Sequence, residues 1–325
     1  TALVGNLDHA QELLVAGNFL ESANETLHAL AQRPFHPEAV LHLAEIALAA
    51  GDEIQAIKYL TALKALTPKW ETVLNALDSL ENKPALSSTQ IDWPALPDAD
   101  EPRLSVCLIV KDEEKALPNA LQSIRDIASQ IVVVDTGSTD RTVEIATELG
   151  AEVHPFEWCD DFAAARNFAL EHARGDWVLV LDADEILPAE SIDALRADLA
   201  QKNHLGFRLP LVNLIQTEQG QTETADGLCH VPRLFRNAPG LHFVGRVHEQ
   251  VYSSVLLRQA DWQMDSGIGT ATLHHFGYEP EVKLERNKVK RNLRLLELAA
   301  EEQPPEAAFL MSYALDLFND GQFEA

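Results

Sequence analysis

The feature that most constrains the fold is a series of apolar runs that alternate with helical patterns and end near carboxylates. The runs read SVCLIV, IVVVD and WVLVLD, all within residues 103–182. Between them, ALPNALQSIRDIA, STDRTVEIATELG and DDFAAARNFALEHARG have helical patterns, and AEVHPFE indicates a short strand. Strands that are apolar on both faces and alternate with helices are typical of a parallel sheet covered by helices. We therefore predict an α/β fold for this region.

Acidic residues stand at the carboxyl ends of these predicted strands. They are Asp112, Asp135, Asp182 and Asp184. Ligands of open α/β sheets bind at that edge. The loop KDEEKALP after the first strand has no glycine, and no P-loop motif occurs, so a glycine-rich phosphate cradle is excluded. A divalent cation held by carboxylates remains as the way to bind a diphosphate there.

The segment VLVLDADEILP carries three carboxylates within four positions. Like charges at that spacing repel one another unless a cation lies between them. Asp182 and Asp184 are expected to face one ligand, because residues i and i+2 of an extended segment point the same way. Glu185 is interpreted as the start of the next helix.

A 34-residue repeat precedes the α/β region. Gly17 and Gly51 are 34 positions apart, and so are Pro34 and Pro68. The second copy, AVLHLAEIALAAGDEIQAIKYLTALKALTP, reads as two amphipathic helices with glycine in the turn. It resembles the tetratricopeptide repeat at its small and turn positions, although the aromatic positions are missing. The alternative is a generic pair of helical hairpins.

The domain division follows from these patterns. Residues 1–82 are predicted as tetratricopeptide-like helical repeats, and residues 83–102, with four prolines, as a linker. Residues 103–280 form the α/β domain. Residues 281–325 are predicted as a long helix and the start of a further repeat, so that all-α repeats flank the α/β domain.

Composition limits the possible partners. The net charge is −26 and the pI is about 4.7, which argues against nucleic acid or an anionic membrane, since both need clustered Lys and Arg. The three cysteines lack CxxC spacing and favour a reducing compartment. No run is long and apolar enough for a membrane span, and no signal peptide is recognised. The expected location is cytoplasmic.

Four stretches together resemble family 2 glycosyltransferases with the GT-A fold, and in particular members fused to tetratricopeptide repeats. They are SVCLIVKDEEKALPNALQSI, IVVVDTGSTDRTVEIATELGAEV, DDFAAARNFALEHARGDWVLVLDADE and FVGRVHEQV. The resemblance covers about residues 103–280. The first motif of the family usually reads VKNEE, whereas this chain has Asp112 in place of the amide.

The resemblance implies a nucleotide-sugar site. Asp135 would accept a hydrogen bond from the base, usually uracil, unless it only caps the following turn. Val110 and Lys111 would line the nucleotide through backbone atoms. Arg166 would lie near the donor diphosphate, with a surface ion pair to Asp161 or Glu171 as the alternative. Asp182 would contact the ribose or the waters of a metal ion.

The resemblance also implies a metal and a general base. Asp184 would bind Mn²⁺ or Mg²⁺ directly, and His275 is the candidate for a further ligand, with a core histidine as the alternative. Glu249 is the candidate base that takes the proton of the acceptor. The rival bases are Asp160, Asp161 and Asp226. Arginines of the segment 232–249 could lie over the diphosphate or form structural ion pairs, namely Arg233, Arg236 and Arg246.

The predicted function is an inverting, metal-dependent transfer of a sugar from a nucleotide-diphosphate donor, a UDP-sugar, to an acceptor. Repeat solenoids present concave surfaces, so the acceptor or a partner is expected to be a peptide or protein. One alternative is a non-catalytic repeat scaffold that binds a sugar nucleotide. Another is a nucleotidyltransferase, but that class usually has a glycine-rich loop after its first strand, which is missing here.

Overall fold

The computed structural model describes residues 5–97, 101–216, 222–276 and 282–302. The described part begins with five helices, continues with one mixed sheet and its covering helices, and ends with a long helix. The helices before the sheet are α1 (Asp8–Val15), α2 (Phe19–Gln32), α3 (Pro37–Ala49), α4 (Glu53–Leu66) and α5 (Glu71–Glu81).

The 34-residue spacing corresponds to two helical hairpins. Gly17 joins α1 to α2 and Gly51 joins α3 to α4, with φ angles of 79° and 81°. Glycine adopts this left-handed conformation without the steric cost that a side chain adds. The prediction of helical hairpins is therefore confirmed, whereas membership in the tetratricopeptide class stays a prediction.

The predicted linker contacts these helices through its residues 87–94. Asp52 caps α4 by accepting the N–H of Gln55, and its Oδ2 accepts hydrogen bonds from Thr89 and from the indole of Trp93. Tyr59 donates its hydroxyl to the carbonyl of Pro94. A single buried carboxylate thus ties the linker to the helical hairpin.

The strands of the sheet are β1 (Leu104–Val110), β2 (Gln130–Asp135), β3 (Glu152–Pro155), β4 (Trp177–Val180), β5 (Glu185–Ile186), β6 (His204–Gln216), β7 (Thr222–Arg236), β8 (Asp265–Ile268) and β9 (Leu273–Phe276). The sheet begins with four strands in the order β3-β2-β1-β4, and their pairing is parallel, as the apolar runs predicted. It continues through β7, β6, β9 and β5, with β8 paired to β6. The pairings β4–β7, β6–β7 and β5–β9 are antiparallel. The predicted mostly parallel α/β sheet is confirmed.

Helices cover both faces of this sheet. A short 3-10 helix, Ala189–Ser191, precedes the fourth of them. The covering helices are α6 (Leu117–Ile124), α7 (Thr142–Glu148), α8 (Phe162–His172), α9 (Ile192–Leu199) and α10 (Tyr252–Trp262). Helix α11 (Val282–Glu302) follows the last strand. Pro118 lies in the first turn of α6, where the missing N–H costs nothing.

Side chains of β4 divide between two cores. Trp177 and Leu179 face one core, and Val178 and Val180 face the other, so this strand is buried on both faces. Phe35, from the loop after α2, joins the second core at 3% exposure. The helical region therefore packs directly onto the sheet domain.

The structure describes only part of the carboxyl-terminal segment 281–325. Helix α11 follows the last strand and spans Val282–Glu302. The predicted further repeat falls on residues 303–325, outside the described residues. Among the helices that the structure describes, none combines the length and apolarity that a membrane span requires.

Candidate active site

The carboxyl ends of β1 and β2 are joined by side chains of the loops that follow them. Asp135 accepts hydrogen bonds from the N–H groups of Gly137 (3.2 Å) and Ser138 (3.1 Å). Asp112, at a φ of 55°, accepts the N–H of Thr139 at 2.6 Å. Its own N–H donates to the Ser138 hydroxyl. These bonds fix two strand-end loops against each other and give Asp112 a structural role.

Val110 and Lys111 differ in what they can offer a ligand. The carbonyl of Val110 already accepts two hydrogen bonds from Thr136, from its N–H and its hydroxyl, both at 3.0 Å. Val110 itself is buried, whereas Lys111 is exposed. Lys111 is therefore the more accessible of the two predicted nucleotide-binding residues.

Asp182 is held between two arginines. Its Oδ1 accepts a hydrogen bond from Nη2 of Arg166 at 2.6 Å, and its Oδ2 accepts one from Nη2 of Arg233 at 2.5 Å. Burial alone would raise the pKa of Asp182, but the two guanidinium groups hold it well below its usual range. Asp182 is thus ionised, and both of its oxygens bind protein groups.

Arg166 connects Asp182 to Glu249. Its Nε donates to Oε1 of Glu249 at 2.8 Å, and only 6% of the residue is exposed. Burial would lower the pKa of Arg166, but the two carboxylates raise it. A contact of Arg166 with a donor diphosphate would have to compete with these bonds. The partners of Arg166 are Asp182 and Glu249, and not Asp161 or Glu171, the two named as alternatives in the sequence analysis.

The chain from Asp182 to Glu185 turns, and the expectation of an extended segment was wrong. The N–H of Glu185 donates to the carbonyl of Asp182 at 3.0 Å, which closes a turn. The two aspartates consequently have different partners. Whereas Asp182 binds the arginines, Oδ2 of Asp184 lies 3.2 Å from Nε2 of His275.

The pair of Asp184 and His275 fits a shared divalent cation. Nδ1 of His275 lies 2.8 Å from Oδ1 of Asn213. This oxygen can accept a hydrogen bond from the Nδ1–H group and so orient the ring. The hydrogen bond with Asp184 raises the pKa of His275 against the opposing effect of burial. In the neutral ring, the Nε2 lone pair would face the carboxylate oxygen, and a cation between them would relieve that repulsion. Neighbouring ligands in an octahedral shell lie roughly 3 Å apart, close to the observed separation.

The described residues supply only part of such a shell. Within residues 5–97, 101–216, 222–276 and 282–302, His, Cys, Asp and Glu side chains form no group of three that could hold a metal ion. Asp184 and His275 would therefore need further oxygen ligands from a substrate or from water. Mg²⁺ in enzymes that act on phosphates commonly has only one or two carboxylate ligands from the protein, with phosphate oxygens and water as the rest.

Residues 105–239 match the family model described as Glycosyl transferase family 2. This segment is similar to the family 2 glycosyltransferases. It contains the ends of β1, β2 and β4 and the Asp182 network except for Glu249. The α/β GT-A fold class predicted from the sequence agrees with this match.

Two curated relatives extend the comparison. A TPR repeat-containing protein of Synechococcus elongatus is 37% identical over 226 residues, which are 69% of this chain and 54% of that protein. The SPbeta prophage-derived glycosyltransferase SunS of Bacillus subtilis is 25% identical over 221 residues, covering 67% of this chain and 50% of SunS. The chain thus spans about half the length of these relatives.

Among solved structures, S. aureus TarS 1-349 in complex with UDP-GlcNAc resembles this chain with a TM-score of 0.40 and 18% identity. The likeness covers 67% of this chain and 73% of TarS 1-349. It is too distant to carry a functional argument.

Arg246 was predicted to bind the nucleotide-sugar donor, but its side chain is engaged with other parts of the protein. Its guanidinium pairs with Glu302 of α11 and donates to the carbonyls of Cys159 and Asp160. A donor contact would have to break these bonds, so Arg246 is assigned to holding α11 against the loop before α8. Of the other arginines, Arg236 donates to three backbone carbonyls and stacks on Trp177, which makes it structural.

The rival bases have structural partners. Asp161 caps α8 by accepting the N–H of Ala164, and Asp160 pairs with Arg294. Asp226 lies in β7, and its side chain is outside the described part of the chain. Glu249 remains the carboxylate that is joined to the strand-end network through Arg166.

Three residues of the candidate site were missed or set aside in the sequence analysis. Arg233 was one of three equivalent arginines, Glu185 was interpreted as a helix start, and Asn213 carried no signal. Glu185 instead forms β5 and is 2% exposed. The only sequence signal for Glu185 was its position directly after Asp182, Ala183 and Asp184. That position became informative only when the structure showed that Glu185 is buried.

Proposed function

We propose that this chain transfers a sugar from a nucleoside-diphosphate donor, a UDP-sugar, to an acceptor with inversion at the anomeric carbon. One observation carries the proposal: the pair of Asp184 and His275 stands beside the connected side chains of Asp182, Arg166 and Glu249. The family match over residues 105–239 supports the reaction class. The glycosyltransferase name of the Bacillus subtilis relative agrees with it.

Asp184 and His275 are the proposed protein ligands of Mn²⁺ or Mg²⁺, and the donor diphosphate would provide further oxygens. When bound, the cation would offset the negative charge that develops on the leaving diphosphate. The support for this pair is its 3.2 Å separation and the bond that orients the His275 ring.

Glu249 is the proposed general base. Its carboxylate would take the proton of the acceptor as the acceptor atom forms a bond to the anomeric carbon from the face opposite the leaving group. The bond from that carbon to the diphosphate oxygen breaks, and the nucleoside diphosphate leaves with the electron pair. Arg166 would hold Glu249 in place, because its Nε donates to Oε1 of that carboxylate.

The nucleotide would lie over the ends of β1 and β2. Asp135 would accept a hydrogen bond from the uracil, and Val110 and Lys111 would line the nucleotide. This assignment rests on the family resemblance. The location at the carboxyl ends of parallel strands supports it.

The helical region is the proposed docking surface for a peptide or protein acceptor or partner. The name of the Synechococcus elongatus relative supports its assignment to tetratricopeptide repeats. We accordingly keep residues 1–82 as the repeat region, 83–102 as the linker, 103–280 as the GT-A domain and 281–325 as a helix leading into a further repeat.

Donor hydrolysis measured across a panel of nucleotide sugars, with and without Mn²⁺, tests the proposal. At least one UDP-sugar should be hydrolysed in a Mn²⁺-dependent way, and Asp184→Ala should abolish this activity. Asp193→Ala is the matched control, because Asp193 is an exposed aspartate of the same domain. If no donor is hydrolysed and Asp184→Ala changes neither metal nor nucleotide binding, the proposal is wrong. Binding of a UDP-sugar without turnover would instead favour the repeat scaffold.

A further inference from the structure

Glu185 is a buried acid in a place where burial is costly. It lies directly after Asp184 in the two-residue strand β5 and is 2% exposed. Burial and the nearby charge of Asp182 raise the pKa of Glu185, and Arg233 opposes them. Buried ion pairs contribute little to stability compared with well-packed apolar side chains. A contribution to stability therefore does not explain why a buried carboxylate stands at position 185.

The first contact of Glu185 closes the turn that carries Asp184. Its Oε2 accepts the N–H of Asp182 at 3.0 Å, while its own N–H donates to the carbonyl of Asp182 at 3.0 Å. These two reciprocal bonds fix the backbone on both sides of Ala183 and Asp184.

The second contact of Glu185 reaches strand β7. Its Oε1 accepts a hydrogen bond from Nη2 of Arg233 at 2.6 Å, and the same nitrogen donates to Asp182. Arg233 belongs to β7, so the turn is tied to the middle of the sheet.

The backbone of Glu185 reaches a third element. In the antiparallel pairing of β5 with β9, Glu185 lies opposite His275. The N–H of Phe276 also donates to the carbonyl of Asp184 at 2.9 Å. The turn with Asp184 and the strand with His275 are thus joined at this residue.

We propose that Glu185 is a positioning residue, which holds Asp184 at the distance from His275 at which both side chains reach one divalent cation. This inference rests on the proposed function, because it assumes the cation. Glu185 itself is not a ligand: its carboxylate oxygens bind Arg233 and the backbone of Asp182. Residues that orient metal ligands typically change metal affinity 10–100-fold when they are replaced.

Two substitutions of Glu185 affect its contacts with Asp182 and Arg233 differently. In Glu185→Gln, the amide oxygen can still accept the N–H of Asp182, but the amide nitrogen meets the Arg233 donor and cannot bond to it. Glu185→Asp keeps the charge but is one methylene too short to reach both partners. Asp52→Asn is the matched control, since Asp52 is a 4% exposed carboxylate that accepts several hydrogen bonds in the helical region.

The measurement is Mn²⁺ binding in the presence of UDP, followed by electron paramagnetic resonance, together with metal-free UDP affinity and the unfolding midpoint. We expect both Glu185 variants to bind Mn²⁺ about 10-fold or more weakly. Their metal-free UDP affinity should stay within about twofold of wild type, and Asp52→Asn should change only the unfolding midpoint. If Glu185→Gln does not fold, Glu185→Asp decides the question.

Unchanged Mn²⁺ affinity in a folded Glu185 variant would overturn the positioning role, and so would an equal loss in Asp52→Asn. In both cases the wild type still binds Mn²⁺, and the proposed function stands. If wild-type protein with UDP takes up no Mn²⁺, the metal-dependent function fails and the positioning role fails with it.

Discussion

The Nε2 atom of His275 lies 3.2 Å from Oδ2 of Asp184, although 91 residues separate them along the chain. The antiparallel pairing of β5 with β9 brings them together. Asn213, on the adjacent strand β6, lies beside the other nitrogen of the ring. The sheet therefore determines which groups can share a cation.

His275→Ala should weaken Mn²⁺ binding in the presence of UDP by about 10-fold or more, because one of two proposed protein ligands is lost. His274→Ala is the control. Adjacent strand residues point to opposite faces of the sheet, so His274 should not share the ligand position. Isothermal titration calorimetry gives both affinities. Equal affinities for the two variants would contradict the assignment of His275.

Glu249→Gln should lower kcat about 10²- to 10⁴-fold, the usual contribution of a general base. The amide oxygen can still accept the hydrogen bond from Arg166, so UDP affinity should change little. Steady-state donor hydrolysis and UDP titration measure the two effects. Asp160→Asn, which removes a rival base, should keep most of the activity. The reverse result would transfer the role of base to Asp160.

Arg166→Lys should reduce the free energy of unfolding by about 3–5 kcal/mol, because a lysine cannot bridge Asp182 and Glu249 and leaves a buried charge unpaired. Donor hydrolysis should fall as well. The control is Arg141→Lys, which alters an exposed pair with Glu144 and should change stability by less than about 0.5 kcal/mol. Urea denaturation measures both. A loss of similar size in the two variants would contradict the bridging role.

Acidification should destabilise the helical region through His36. Its Nε2–H donates to the carbonyl of Gly5, and its Nδ1 accepts the N–H of Ala39, so both nitrogens are satisfied in the neutral ring. Burial, and to a smaller extent the nearby Arg258 and Arg33, lower the pKa of His36 from 6.5 to about 4. The unfolded chain then binds more protons than the folded chain between these two values.

The stabilisation linked to His36 is therefore fully present above pH 6.5 and is lost as the pH falls towards 4. Between pH 7 and pH 5 the loss should be about 2 kcal/mol. His36→Asn keeps an acceptor for the Ala39 N–H and should lack this part of the pH dependence, whereas His9→Asn, at an exposed site, should retain it. Urea denaturation at the two pH values provides the test. Identical pH profiles for wild type and His36→Asn would contradict the prediction.

The sequence predicted what depends on local patterns. Apolar runs and helical spacing predicted β1 to β4 with their helices, and the strand-end position of Asp135 followed from the same pattern. The network around Asp182 could not be predicted in this way. Arg233 and Asn213 reach the site through the antiparallel pairing of β6 with β7 and the parallel pairing of β6 with β9, and such long-range pairing leaves no local signature.

The error at Asp182 to Glu185 has a physical cause. The alternation of side chains holds only while the backbone stays extended, and here the turn begins directly after β4 ends at Val180. The sharing of one ligand by the two aspartates was inferred from a geometry that the chain does not adopt. Burial of Glu185 could not be seen in the sequence, since acids are rarely buried.

The position of Phe35 bears on whether the helical region and the sheet domain can be produced separately. It inserts into the core that also contains Phe235 and Trp262, and the neighbouring Arg33 donates to the carbonyl of Leu170 at the end of α8. Removing the helical region would expose these aromatic rings to water and remove the donor from the helix that carries Arg166. The helical region is thus a structural part of the enzyme domain's own interior, and the two are expected to melt as one cooperative unit.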